Sequence, residues 1–189
     1  HENNTYNVIH SGRNWYGDKF TPGVTKTFAF SFPNIVSTEN LKVKSVVVGR
    51  KKYDQTCYFN ISENGGANYT TININDIYGD HTYGTAYTSF FTIKNPSINH
   101  NLKYTFEGAD PEMLGYIDYI CINGRERLKM KNSQLVFCDK VSADSGGVWQ
   151  FNIDNNGTNI NVWNITNSVA PYKLKLSNTG TSSSFKIDA

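Results

Sequence analysis

Residues 115–139 read GYIDYICINGRERLKMKNSQLVFCD. If the first half is extended, Tyr116, Asp118, Ile120 and Ile122 share one face and Ile117, Tyr119 and Cys121 the other, because strand side chains alternate with period two. Asn123-Gly124 suits a two-residue turn that needs positive φ at both central positions. The stretch therefore predicts a hairpin, followed by a third short run through Leu135 and Phe137. The rest of the chain follows the same pattern.

Phe28, Phe30 and Phe32 alternate in TKTFAFSF, and Leu41 and Val43 open a run that ends in Val46-Val47-Val48. Similar alternation marks Cys57-Phe59-Ile61, Ile72-Ile74, the run from Thr85 to Ile93, and Leu102-Tyr104-Phe106. Beyond the hairpin come Val148 to Ile153, Ile160 to Trp163, Tyr172 to Leu176, and Phe185-Ile187. Turn chemistry separates them at Asn64-Gly65-Gly66, Ser145-Gly146-Gly147, Asn155-Asn156-Gly157 and Asn178-Thr179-Gly180, where Asn and Gly accept left-handed backbone angles. About a dozen short antiparallel strands at this spacing predict an all-β, jelly-roll-like β-sandwich with almost no helix. The one helical signal is a single turn at 110–114, capped by Asp110 with Pro111 at the first helical position.

The chain has 189 residues, enough to bury a substantial core. We read residues 1–20 as a poorly anchored N-terminal segment and 21–189 as one β-sandwich domain, with a sub-boundary near Gly108 as the alternative; the tail from Asn178 is also loosely held on this reading. Tyr and Phe, at 12 and 11 copies, favour pleated half-buried surfaces. Mean hydropathy is -0.49 although only 18% of residues are charged, so the polarity comes from Asn, Ser and Thr, as suits a secreted β protein. A net charge of +2, with basic residues clustered only at 50–52 and 125–131 beside expected turns, argues against nucleic acid. No apolar run is long enough to span a membrane, and no signal pattern opens the chain. A mature or excised fragment is the expectation.

Chemistry is scarce. Cys57, Cys121 and Cys138 have no metal-ligand spacing. They read as small buried hydrophobes, unless Cys121 and Cys138 fall on neighbouring strands with Cα atoms about 4.4–6.8 Å apart and pair in an oxidising compartment. His1, His10, His81 and His100 are the candidate bases for a thiol, but both Cys121 and Cys138 sit in apolar runs where inert thiols are expected. There is no GxSxG and no phosphate-cradling glycine loop. Asp118 is the carboxylate to watch. Asp76, Asp80, Asp110, Asp144, Asp154 and Asn155 read as turn formers rather than calcium ligands, and no cofactor is expected. Trp149 and Trp163 read as core. Trp15 and Tyr16, in a Gly/Asn-flanked stretch, are the candidate ligand-binding residues, with Tyr78 behind them. The Asn-x-Ser/Thr matches at Asn3, Asn60, Asn68, Asn156 and Asn164 are what an Asn- and Thr-rich chain gives by chance.

Three segments in order carry a family resemblance. Gly12-Arg13-Asn14-Trp15-Tyr16-Gly17-Asp18-Lys19-Phe20 is similar to a G-(D/N)-x-W-(F/Y)-G-(E/D)-x-F entry motif. The run 115–139 is similar to W-L-D-Y-I-E-(V/I)-N-x-R-R-x-L…L-x-F-R-D. Val148-Trp149-Gln150-Phe151, leading to Val162-Trp163-Asn164-Ile165-Thr166-Asn167, resembles R-F-x-(I/L)…V-W-D-(V/I)-T-(D/N)-P. Together they resemble the β-rich region ahead of the peptidase domain in the gingipain-like type IX secretion sortases (PorU type) of Bacteroidetes. Cys138 stands where that family commonly has Arg, Cys121 where it often has Glu, Asn164 for Asp and Ser168 for Pro. The resemblance implies a non-catalytic module at the cell envelope, whether outer membrane, cell surface or secreted. Its implied partners are the C-terminal peptidase domain of its parent chain, and secreted cargo or outer-membrane secretion components. An independent extracellular glycan- or protein-binding module is the alternative. The family's catalytic His and Cys lie in the peptidase domain, so no catalytic residue carries over to this chain.

Overall fold

A computed structural model describes residues 1–7, 14–51, 55–63, 66, 68–77 and 84–188. The chain divides into two compact units, His1–Arg125 and Glu126–Ala189. The first contains β1 (Lys19–Phe20), β2 (Thr25–Ser31), β3 (Leu41–Arg50), β4 (Cys57–Glu63), β5 (Asn68–Asn73), β6 (Thr85–Ile93), β7 (Asn99–Gly108) and β8 (Leu114–Asn123). They pair as two antiparallel four-stranded sheets, β1-β8-β3-β6 and β2-β7-β4-β5. Each sheet alternates early and late strands, which is the double Greek-key order of a jelly roll. The predicted all-β sandwich is present.

Between the sheets lies one core. Phe20, Leu41, Phe59, Ile61, Leu102, Tyr104, Phe106 and Ile117 are fully buried in it. The alternation read from β2, β4 and β7 holds, since one face of each strand must be dry. Tyr104 carries a hydroxyl deep in this layer, and it donates across the sandwich to the buried Ser45 Oγ at 3.0 Å. That bond offsets the cost of taking the phenol out of water.

The hairpin at Asn123-Gly124 is not formed. β8 ends at Asn123, and residues 124–139 contain no named strand, so neither Leu135 nor Phe137 is in one. The reason is that both edges of β8 are already occupied. β3 pairs along its length on one side. On the other, β1 pairs at Gly115 and Tyr116, while Gly17, Asp18, Glu2 and His1 continue the edge to Ile120. Gly124 answers to packing instead of a turn: a Cβ there would come within 2.1 Å of Leu41 Cδ2.

β8 also departs from strict alternation. Val47 faces Ile117 across the ladder and Val46 faces Tyr119, so Asp118 is an extra residue in a β-bulge. The bulge inverts the parity beyond it. Ile117 and Ile120, expected on opposite faces, both enter the core, and Cys121 is turned out to solvent.

The second unit holds a short helix, α1 (Lys140–Ser145), and β9 (Val148–Asp154), β10 (Trp163–Asn164), β11 (Tyr172–Lys173), β12 (Ser177–Thr179) and β13 (Ser182–Asp188). β12-β13-β9 form an antiparallel sheet, and β10-β11 a two-stranded ribbon. Phe151 stacks on Phe185 at 5.4 Å and meets Phe137 at 5.7 Å. The expected turn at 155–157 is present: Asn156 and Gly157 have φ of 53° and 78°, and buried Asn155 accepts the Gly157 N–H at 3.0 Å. Trp163, read as core, is exposed on the ribbon, whose strands are too short to bury a face; Trp149 is half-buried and donates to the Gly146 carbonyl. The helical turn expected at 110–114 is a plain turn, in which Asp110 accepts the N–H groups of Glu112 and Met113. The helix of this chain is α1, which no capping signal announces: Asp139 stands at its N-cap without a side-chain cap bond.

Candidate functional site

Residues 1–7 and 14–18 form a strap along the β8 edge of the β1-β8-β3-β6 sheet. His1 and Ile120 exchange both backbone hydrogen bonds at 2.8 Å. Tyr6 and Tyr16 do the same within the strap, and the Gly17 N–H donates to the Ile117 carbonyl at 2.8 Å. Three backbones thus meet at Gly17. A Cβ there would lie 2.8 Å from the Asn3 carbonyl oxygen and 3.0 Å from that of Ile117, which accounts for the glycine after Trp15-Tyr16. Asp18 anchors the strap further, accepting from Lys26 Nζ at 3.0 Å and lying 3.2 Å from His1 Nε2.

Under the strap, Tyr116 is buried between two other phenols, with ring centroids 6.1 Å from Tyr6 and 5.8 Å from Tyr16. Beside this cluster opens a cleft of about 490 Å³, lined by Glu2, Asn4, Asn14, Trp15, Tyr16, Ala86 and Asp118. That size suits a small ligand or a side chain with its flanking backbone. Trp15 and Tyr16, the residues singled out in the sequence, both line it, and Trp15 is 49% exposed. Tyr78, Gly12 and Arg13 lie outside the described residues.

Asp118 shares the outer face of β8 with Tyr116, as period-two alternation gives it, and there it lines the cleft. Glu2 pairs with the neighbouring Tyr119 and so comes close enough to matter electrostatically. Partial burial and then the Glu2 charge push the Asp118 carboxyl above the usual aspartate range. Burial and the Asp118 charge likewise raise the Tyr16 phenol, against a hydrogen bond with Asn14, so Tyr16 is a neutral hydroxyl at physiological pH. The cleft therefore combines aromatic faces, acceptor-only carboxylates, amides and one phenol. Sequence reading had Asp118 and the two aromatics. It missed Glu2, Asn4, Asn14 and Ala86, which no local pattern links to β8.

Asp118 supports a stability prediction. A carboxyl whose pKa is raised on folding binds its proton more tightly in the native state, so its contribution to stability falls as pH rises through that window. Asp118→Asn should then raise the melting temperature at pH 7, and the gain should vanish near pH 3, where the wild-type carboxyl is protonated. A lowered melting temperature at pH 7 would contradict this.

Among the described residues, no three His, Cys, Asp or Glu side chains gather as a metal site. Asp76 pairs with Lys51 at 3.0 Å and Asp154 with Lys129 at 3.2 Å; Asp80 lies outside the described residues. All three cysteines are free. Cys57 is buried as read, but Cys121 and Cys138 are exposed, Cys121 through the parity change at the bulge and Cys138 in an irregular segment. Burial, partly countered by Lys51, pushes the Cys57 thiol up to about 11. In the native protein at pH 8, a thiol reagent should label Cys121 and Cys138 within minutes and Cys57 only after denaturant. Labelling of Cys57 at the same rate would contradict its placement.

Among solved structures, the whole chain superposes on part of the dimeric latent PorU from Porphyromonas gingivalis, with a TM-score of 0.82. This is the fold of a PorU-like β-rich domain. Identity to PorU is 15%, and the match spans 100% of this chain but only 18% of that one. Looser overlaps include the mosquito-larvicidal Cry4Aa toxin of Bacillus thuringiensis, with a TM-score of 0.41, 12% identity and coverage of 59% of this chain and 19% of that one. An overlap that loose carries no argument. No protein-family model matches the chain, and no curated protein does. The likeness to PorU thus lies in the fold.

Proposed function

We propose that this chain is a non-catalytic β-sandwich module of a larger, gingipain-like cysteine peptidase or sortase of the type IX secretion system. It works at the cell envelope, positioning the peptidase domain of the parent chain or engaging secreted cargo or outer-membrane secretion components. The observation that carries this reading is the full-length superposition on one segment of PorU. The local chemistry agrees with it. His100 is held by Glu63 and by the Ser97 carbonyl, and His1 by Asp18. Among the described residues neither imidazole contacts a cysteine, and His10 and His81 lie outside them. Among the described residues no helix is long and apolar enough to cross a membrane. The test is cleavage of fluorogenic peptides by the pure chain, with and without reductant. No thiol-dependent turnover is expected, and measurable turnover abolished by alkylation would end this reading.

A second reading has its own observation. The cleft at Trp15 and Tyr16 supports an extracellular glycan- or protein-binding module. Binding on a glycan or peptide array that disappears with Trp15→Ala would support it, and silence across both arrays would count against it.

A further inference from the structure

We propose that the cleft at Trp15 and Tyr16 receives a cationic side chain, an arginine or lysine, of a bound polypeptide. This rests on the second reading above and names its ligand class.

Among the described residues that line the cleft, two are carboxylates and none is Lys, Arg or His. The chain as a whole carries a net charge of +2, so the negative charge belongs to this spot and not to the general surface. Among the described residues, neither Glu2 nor Asp118 forms an ion pair, whereas Asp18, Glu39, Glu63, Asp76, Glu126 and Asp154 each have a basic partner.

Asp118 also stands at an electrostatic disadvantage in the free protein. It is the extra residue of the bulge, and it sits partly buried beside a like charge. A partly buried carboxylate beside a like charge is stabilised by a ligand of opposite charge. A neutral sugar gives no such relief. Sugar hydroxyls also need donors and acceptors in balance, while ionised carboxylates only accept. A guanidinium offers five N–H donors and no acceptor, and an ammonium three. The amide oxygens of Asn4 and Asn14 add further acceptors. The remaining wall is aromatic, and Trp and Tyr faces attract organic cations. One cleft therefore offers charge, acceptors and π faces, a combination suited to the end of an arginine or lysine.

The test uses the whole chain with N-acetyl-arginine amide and its neutral isostere, N-acetyl-citrulline amide. Binding is read from the Trp15 indole resonance by NMR. The arginine amide should shift that signal saturably, and the citrulline amide at least about tenfold more weakly, the effect of one charge-assisted hydrogen bond. Glu2→Gln and Asp118→Asn should each weaken the arginine amide by a similar factor. If Asp118→Asn disturbs the bulge, as judged by amide shifts along β8, Glu2→Gln on the strap decides. Equal binding of the two amides, retention of binding by both neutralised variants, or preferential occupation by calcium chloride would overturn the proposal. If neutral glycans bind and are lost on Trp15→Ala while the arginine amide does not bind, the cation fails and the cleft reading stands. If neither binds, both fail.

Discussion

Glu63→Ala should cost about 3–5 kcal/mol of folding stability, the usual loss when one partner of a buried ion pair is removed. The target is His100 on β7, whose side chain is 2% exposed. Its Nε2 lies 2.8 Å from the Ser97 carbonyl oxygen. A carbonyl only accepts, so Nε2 donates. Nδ1 faces the Glu63 carboxylate, and Tyr69 donates its hydroxyl to the other carboxylate oxygen. Burial, that hydrogen bond and the Glu63 charge raise the Tyr69 phenol well above its ordinary value, which keeps it a donor. Glu63 thus bridges Tyr69 on β5 and His100 on β7, and truncation strands both side chains. Glu63→Gln should lose less, because its amide carries both a donor and an acceptor and can still bond Nδ1. Replacing Glu63 and His100 together by Leu should recover part of the Glu63→Ala loss, since it removes the stranded imidazole. Urea denaturation of the four proteins reads this directly. A Glu63→Ala midpoint shift worth less than about 1 kcal/mol would mean the cluster behaves as a surface pair.

This cluster illustrates what the sequence could and could not yield. β2, β4 and β7 were legible because each has one dry face, and period-two alternation records a dry face without help from distant residues; β3 showed instead through Val46-Val47-Val48, a run buried on both faces. The jelly-roll class followed from the number and spacing of such runs. The errors share a cause: a local signal overruled from far along the chain. Asn123-Gly124 looks like a turn, but Leu41 and Ile35 occupy the space a side chain at 124 would need. Ile120 and Cys121 were assigned to the wrong faces because nothing in YIDYI marks Asp118 as an inserted residue. At the cleft, Trp15 and Tyr16 stood out by their Gly and Asn neighbours. Glu2 and Ala86 did not, because only the strap and the sheet order bring them to Asp118. His100 and Glu63 lie on different strands with no shared motif, so their pairing was invisible before the topology was known.

Phe59→Ala should be comparably severe, at about 3–5 kcal/mol, and its interest lies in how it couples to Gly115. Phe59 is fully buried, with its ring 4.8 Å from Phe106 and edge-on to Phe20 at 5.3 Å. Glycine inside a strand is normally a weakness. Here a Cβ at 115 would fall 2.5 Å from Phe59 Cζ and 2.8 Å from Phe106 Cδ2, so the two rings occupy its place. Gly115→Ala in the wild-type background should therefore overpack the core and cost about 1–3 kcal/mol. In the Phe59→Ala background the nearer of the two rings is gone, and Phe106 can yield into part of the cavity it leaves, so the methyl meets less resistance. The second substitution should then cost markedly less, or restore some stability, and the double mutant should be more stable than the sum of the singles by about 1 kcal/mol or more. Paired denaturation curves measure that coupling. Strict additivity would show that the two positions do not share space, and would contradict the packing of β8 against β4 on which the arrangement of the sandwich rests.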